Sequence, residues 1–186
     1  MKILTVTGCK PMELNIFKET DERIRYLKKA LEKRLIGFIE AGVEWVLISG
    51  QMGVELWTAD IVLELQNTYP VKLAIIPPFE NQTSRWPEHL QLKYETLTYE
   101  ADFFQPIYNG DYKGPHQFRA KDEWLIQKSD GCLILADEEY PGSTGYFLKA
   151  TQSVDDYPIY FITPDDLDDV VEEMRMTDPD YWTDGD

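Results

Sequence analysis

The chain has 186 residues, 43% of them hydrophobic, and a formal net charge of −16. That length and composition suit an ordered globular domain with a full core and exclude a disordered chain. The acidic balance argues against a broad DNA- or RNA-binding face, and no apolar run approaches the ~20 residues of a membrane span.

The charge is uneven, because residues 155–186 hold 12 acids and one base, Arg175. The rest of the chain is mildly acidic, so local cations remain to hold one small anion. The start, MKILTVTG, is too short for a signal peptide and reads as a buried strand. Cys9 and Cys132 have no Cys-x-x-Cys spacing, and His89 and His116 are not spaced as metal ligands. The expectation is a soluble cytoplasmic protein with two reduced, buried thiols and no metal.

In chain order, residues 3–7 form a β-branched apolar strand ending at Gly8. Ile24, Leu27, Ala30, Leu31, Leu35 and Ile39 recur at steps of three and four, which predicts a helix over 21–40, closed by Gly42. A buried strand at 45–49 leads to a helix at 54–69 that Pro70 stops. A strand at 71–76 is closed by Pro77-Pro78, and a polar helix is expected at 84–99, with Pro87 breaking its start. A strand at 101–107 and a loop at 108–114 precede a helix at 115–129, with Phe118, Trp124 and Leu125 as core positions. Next come a strand at 131–136, a loop at 138–145 and a helix at 146–154. A strand at 158–163, a helix at 165–174 and an acidic tail at 177–186 complete the chain. Alternating strands and helices indicate one Rossmann-like domain over 1–176, a three-layer α/β fold whose parallel sheet is covered on both faces.

In such sheets ligands bind beyond the C-terminal ends of the strands. Three loops there carry suitable residues. In the first, Gly8 permits close approach and Lys10 can meet an anion, although the segment also reads as an ordinary strand exit. The second is Ser49-Gly50-Gln51-Met52-Gly53-Val54-Glu55, a glycine turn opening a helix whose N-terminus favours a phosphate. It lacks the G-x-G-x-x-G fingerprint and a Walker lysine. Glu55 either complements the helix dipole or accepts from a ribose hydroxyl, and Trp57 is either core or a stacking surface for a base. The third loop offers backbone and hydroxyl donors from Gly142, Ser143, Thr144 and Gly145. Arg119 and Lys121 are among the few cations able to face the same crevice.

The segment Ser49-Gly50-x-x-Gly53-x-Glu55-x-x-x-Ala59 resembles the glycine turn of the SLOG superfamily, which includes the DNA-processing protein A family and the lonely-guy phosphoribohydrolases. Residues 119–144 resemble the second block of that group. Over about residues 1–174 the chain looks like the YpsA family of Gram-positive bacteria. The resemblance implies a Rossmann-like fold and a nucleotide-derived ligand, ADP-ribose or NAD-like, with no established reaction to carry over. Lonely-guy enzymes carry Pro-Gly-Gly-x-Gly-Thr-x-x-Glu, whereas Pro141-Gly142-Ser143-Thr144-Gly145 lacks the second glycine and no Glu follows in 146–154. The DNA-processing relatives need a cationic face that this acidic chain does not supply.

The leading expectation is a sensor or regulatory protein for a small nucleotide-like ligand. Its site would combine Gly8, Lys10, Ser49, Gly50, Gln51, Gly53, Glu55, Arg119 and Gly142 to Gly145. No nucleic acid or membrane is expected as partner, while a protein partner or homo-oligomer is compatible with the chain. One alternative is a nucleotide N-glycosidic-bond hydrolase with Glu55 as its acid or base. Another is an interaction scaffold using exposed aromatics among Trp86, Tyr94, Tyr99 and Tyr112 and the acidic tail.

Overall fold

The computed structural model describes residues 1–178 and 180. Most of the acidic tail expected at 177–186 lies outside the described residues. Strands β1 (Ile3–Gly8), β2 (Trp45–Ile48), β3 (Lys72–Ile75), β4 (Phe103–Phe104), β5 (Gly131–Leu135) and β6 (Ile159–Ile162) alternate with helices. The helices are α1 (Glu22–Glu40), α2 (Val54–Leu65), α3 (Glu88–Glu100), α4 (His116–Lys128), α5 (Gly145–Thr151) and α6 (Pro164–Thr177). All six strands are parallel in the order β4-β3-β2-β1-β5-β6, giving the expected three-layer Rossmann-like fold.

The period of two along each strand sorts side chains into two cores. Leu4 and Val6 of β1 and Leu133 and Leu135 of β5 face Leu31 and Leu35 of α1, Ala59 and Val62 of α2 and Val170 of α6. Cys132 and Ile134 face the other way, onto Leu125 and Ile126 of α4 and Phe147 of α5. Strands buried on both faces explain why 131–135 reads as one unbroken apolar run.

Local chemistry fixes the helix starts. Asp21 caps α1 by accepting from the Arg23 N–H at 2.9 Å. Thr163 and Asp166 form a reciprocal capping box on α6, at 3.2 and 2.8 Å. Asp130 joins the starts of β1 and β5, accepting from the N–H groups of Lys2 and Ile3 at 2.7 and 2.9 Å.

Several boundaries differ from the periodicity. Helix α2 ends at Leu65, and residues 66–69 turn back so that the Tyr69 hydroxyl meets Glu40 at 3.2 Å. Pro87 caps α3, which therefore starts at Glu88. The strand expected at 101–107 contracts to two residues, because Asp102 turns its carboxylate to the Leu73 N–H and the Gln66 amide. Phe118, expected in the core, is 40% exposed and packs instead on the rings of Phe79 and Tyr112.

Leu133 is fully buried on β5, between β1 and β6. Leu133→Ala should lower unfolding free energy by about 2–5 kcal/mol, measured by denaturant titration.

Candidate functional site

From β1 the chain crosses towards β2, and from β5 towards β6, on opposite sides. The β1/β5 boundary is therefore the topological switch point, the place where open α/β sheets in general bind their ligands. The loops after β1, β2 and β5 meet there. The Cys9 N–H donates to the Leu135 carbonyl at 3.1 Å, and the Cys9 carbonyl accepts from the Val54 N–H at 3.3 Å.

Gly53 makes the approach to Cys9 possible, and Gly142 lets the loop after β5 lie against Glu13. Gly53 has φ +89°, and a Cβ there would stand 2.5 Å from the Cys9 carbonyl oxygen. Gly142 has φ +56°, and its Cβ would stand 2.9 Å from a Glu13 carboxylate oxygen. A side chain at either position would strain the backbone, and at Gly53 it would also press on the Cys9 carbonyl and part the loops, whereas at Gly142 the flexible Glu13 carboxylate could swing aside.

Glu55 lies in the first turn of α2 and is only 5% exposed. Its Oε1 accepts from the Ser49 N–H at 2.6 Å and the Ser49 hydroxyl at 2.7 Å, while Oε2 accepts from the Thr7 hydroxyl at 3.2 Å. One carboxylate thus holds the end of β2 to the end of β1. Burial raises the Glu55 pKa above the ordinary glutamate range, opposed by the charge of Lys121 and by the bonds from Ser49 and Thr7.

The other expected residues fall into distinct settings. Gly8 ends β1 and is buried, and Lys10 is half-buried at the cap of the turn Pro11–Leu14. Gly50 is buried, and Gln51 turns its side-chain oxygen to the Met52 N–H at 2.9 Å. Gly142 and Ser143 are exposed, whereas Thr144 is buried with its hydroxyl on the Pro141 carbonyl at 2.6 Å. Gly145 opens α5. Arg119 is exposed on α4. The cation beside Glu55 is Lys121, held at 2.6 Å to Asp122 with both side chains largely buried.

Thr7 and Asp122 were not among the expected site residues. Their signal is polarity at positions where the period calls for an apolar group: Thr7 closes an apolar strand, and Asp122 lies three residues before buried Leu125. Gln82 and Tyr94 were missed as well. The Gln82 amide donates to the Ser49 carbonyl at 2.9 Å and to the Tyr94 hydroxyl at 3.2 Å, bracing the glycine loop from behind. Of the aromatics offered for a scaffold role, Tyr99 and Tyr112 are exposed, whereas Tyr94 is 6% exposed, because α3 lays it against the core. Trp57 is half-buried and packs on that core. Burial pushes the Cys9 thiol up to about 11, with Glu13 adding to the effect, so it stays protonated at neutral pH. Among the described residues no group of three or more His, Cys, Asp and Glu stands together as a metal site, and no helix is long and apolar enough to cross a membrane.

The profile of the YspA SLOG family matches residues 4–167. The chain belongs to that family. A UPF0398 protein of Oceanobacillus iheyensis is 64% identical over 183 residues, covering 98% of this chain and 100% of that one. The UPF0398 protein YpsA of Bacillus subtilis is 47% identical over 177 residues, covering 93% and 98%. Two solved structures share the fold of this SLOG chain. DNA processing protein A of Streptococcus pneumoniae superposes with a TM-score of 0.59 at 12% identity, over 94% of this chain and 56% of its own. The Helicobacter pylori protein of the same name, described with a single-stranded DNA binding mode, gives 0.56 at 14%, over 93% and 73%.

The clasp predicts a pH signature. Because the folded state raises the Glu55 pKa, its contribution to stability is fully present below about 4.5 and is lost as pH rises through the folded value. The stability of Glu55→Gln relative to the parent should therefore increase as pH rises above about 4.5, read from melting temperatures across a pH series. Glu55→Ala strips the Ser49 donors of their acceptor and should cost about 1–3 kcal/mol in denaturant titrations.

Proposed function

We propose that the crevice at the ends of β1, β2 and β5 binds a small nucleotide-derived ligand, ADP-ribose or NAD-like, in a sensor or regulatory role. The observation that carries this reading is the convergence of the glycine loops of β1, β2 and β5 on the switch point, with the start of α2 opening beside them. Gly50, Gln51 and Gly53 precede that helix start, which suits a phosphate. Lys10 and Arg119 supply cations, and Gly8, Gly142, Ser143, Thr144 and Gly145 complete the wall.

Glu55 acts from beneath. It sets Ser49 and Thr7 in place, and its Oε2, with one hydrogen bond from Thr7, keeps acceptor capacity for a ribose hydroxyl. The acidic chain disfavours a polyanion, so the ligand is a small molecule rather than the single-stranded DNA described for the Helicobacter pylori neighbour. Binding then biases contact with a protein partner or a second copy. Two free, buried cysteines fit a reducing cytoplasmic setting.

One observation favours a second reading, hydrolysis of a nucleotide N-glycosidic bond. Glu55 has the raised pKa that a general acid needs.

Calorimetry with ADP-ribose, NAD and AMP tests the site, and mass analysis of the recovered ligand separates the readings. The expected result is binding tighter than about 1 mM. Ser143→Glu, an added charge on an exposed residue, should weaken it at least tenfold. Intact ligand supports the sensor, while cleavage that Glu55→Gln abolishes supports the hydrolase. No binding at that concentration, or binding indifferent to Ser143→Glu, overturns the crevice assignment.

A further inference from the structure

A second hollow lies on the other side of Gly53, between α2, α3 and the segment after β1. It has a volume of about 510 Å³, within the size range of small-molecule sites. Ile16, Leu56, Trp57 and Leu90 give it an apolar lining. Met12 and Phe17 stand at 52% and 79% exposure among its lining residues, large apolar side chains left open to water.

Its charge runs against that of the chain. Lys18, Lys28, Arg85 and Lys93 line it against two carboxylates, Glu19 and Asp60. Asp60 is shared by Lys93 at 2.6 Å and Lys28 at 3.5 Å, and Glu19 faces His89 at 3.5 Å. Both acids are thereby engaged. Lys18 and Arg85 have no ion-pair partner among the described residues.

We propose that this cleft is a separate binding site for a small organic anion with an aromatic body. The ring lies on Trp57 and Leu56 beneath Met12 and Phe17. The carboxylate or phosphate monoester is held by Lys18 and by the guanidinium fork of Arg85, whose geometry matches either head group. The two methionines of the cleft, Met12 and Met52, adapt to the outline of the ring. A larger groove, of about 770 Å³ between α1 and α2, sets five acids, Glu19, Asp21, Glu22, Glu32 and Glu64, against three cations, Arg25, Lys28 and Lys29, so its balance is acidic and suits an anion less well.

The test titrates the full chain with 1-naphthyl phosphate and 1-naphthoate, and with 1-naphthol and inorganic phosphate as fragments, followed by NMR. Either anion should bind at least tenfold tighter than both fragments, with shifts centred on Met52, Trp57 and Arg85. The tighter of the two identifies the head group. Lys18→Ala and Arg85→Ala change exposed side chains, so they should leave the melting temperature in place while each weakens binding about tenfold. Equal binding of 1-naphthol, unchanged affinity in both variants, or shifts centred on Gly142 and Ser143 would each overturn the proposal. ADP-ribose titrations of the same two variants should match the parent, which keeps this site distinct from the crevice.

Discussion

A single buried carboxylate organises the mouth of this fold. Glu55 takes the Ser49 N–H and hydroxyl on one oxygen and the Thr7 hydroxyl on the other, so the exits of two neighbouring strands share one anchor. A group this enclosed is costly unless it is hydrogen-bonded, and here each oxygen accepts at least one bond. The anchor fixes where α2 begins. The start of α2 in turn brings Gly53 against the Cys9 carbonyl, and the Cys9 N–H completes the link to β5. The strand ends are thus held in place by the chain itself, and a ligand of the proposed kind would meet a site already ordered, which lowers the ordering cost of binding.

The sheet was legible because its strands are apolar on both faces and its helices keep a three-four period. The strand and helix around Ser49 to Glu55 were legible for the same reason, reinforced by glycines where only a small residue fits. What the sequence obscured has physical causes. Strand β4 lies at the edge, where one neighbour suffices and Asp102 redirects the backbone pairing. Phe118 has the hydrophobicity of a core residue but satisfies it in a surface cluster with Phe79 and Tyr112. Tyr94 reads as polar-helix surface until α3 is docked.

The site was half legible. The glycine loops are local signals and were found. The role of Glu55 was not, because its partners Thr7 and Lys121 lie 48 and 66 residues away and only the sheet order unites them. The same holds for cations. Arg119 and Lys121 are equivalent in sequence, yet the turn of α4 leaves the first in water and places the second beside the buried carboxylate.

The strand order has a consequence for how the chain acquires its structure. The ladder between β1 and β5 lies next to the centre of the sheet, yet Leu4 meets Gly131 across most of the chain's length. During synthesis β1 can pair with β2 early, but its other edge stays open until β5 has emerged. The tie from Asp130 to Lys2 and Ile3 sits at the first point of that late closure. The arrangement at the strand ends that depends on β5 therefore cannot form until the chain has emerged through Leu135.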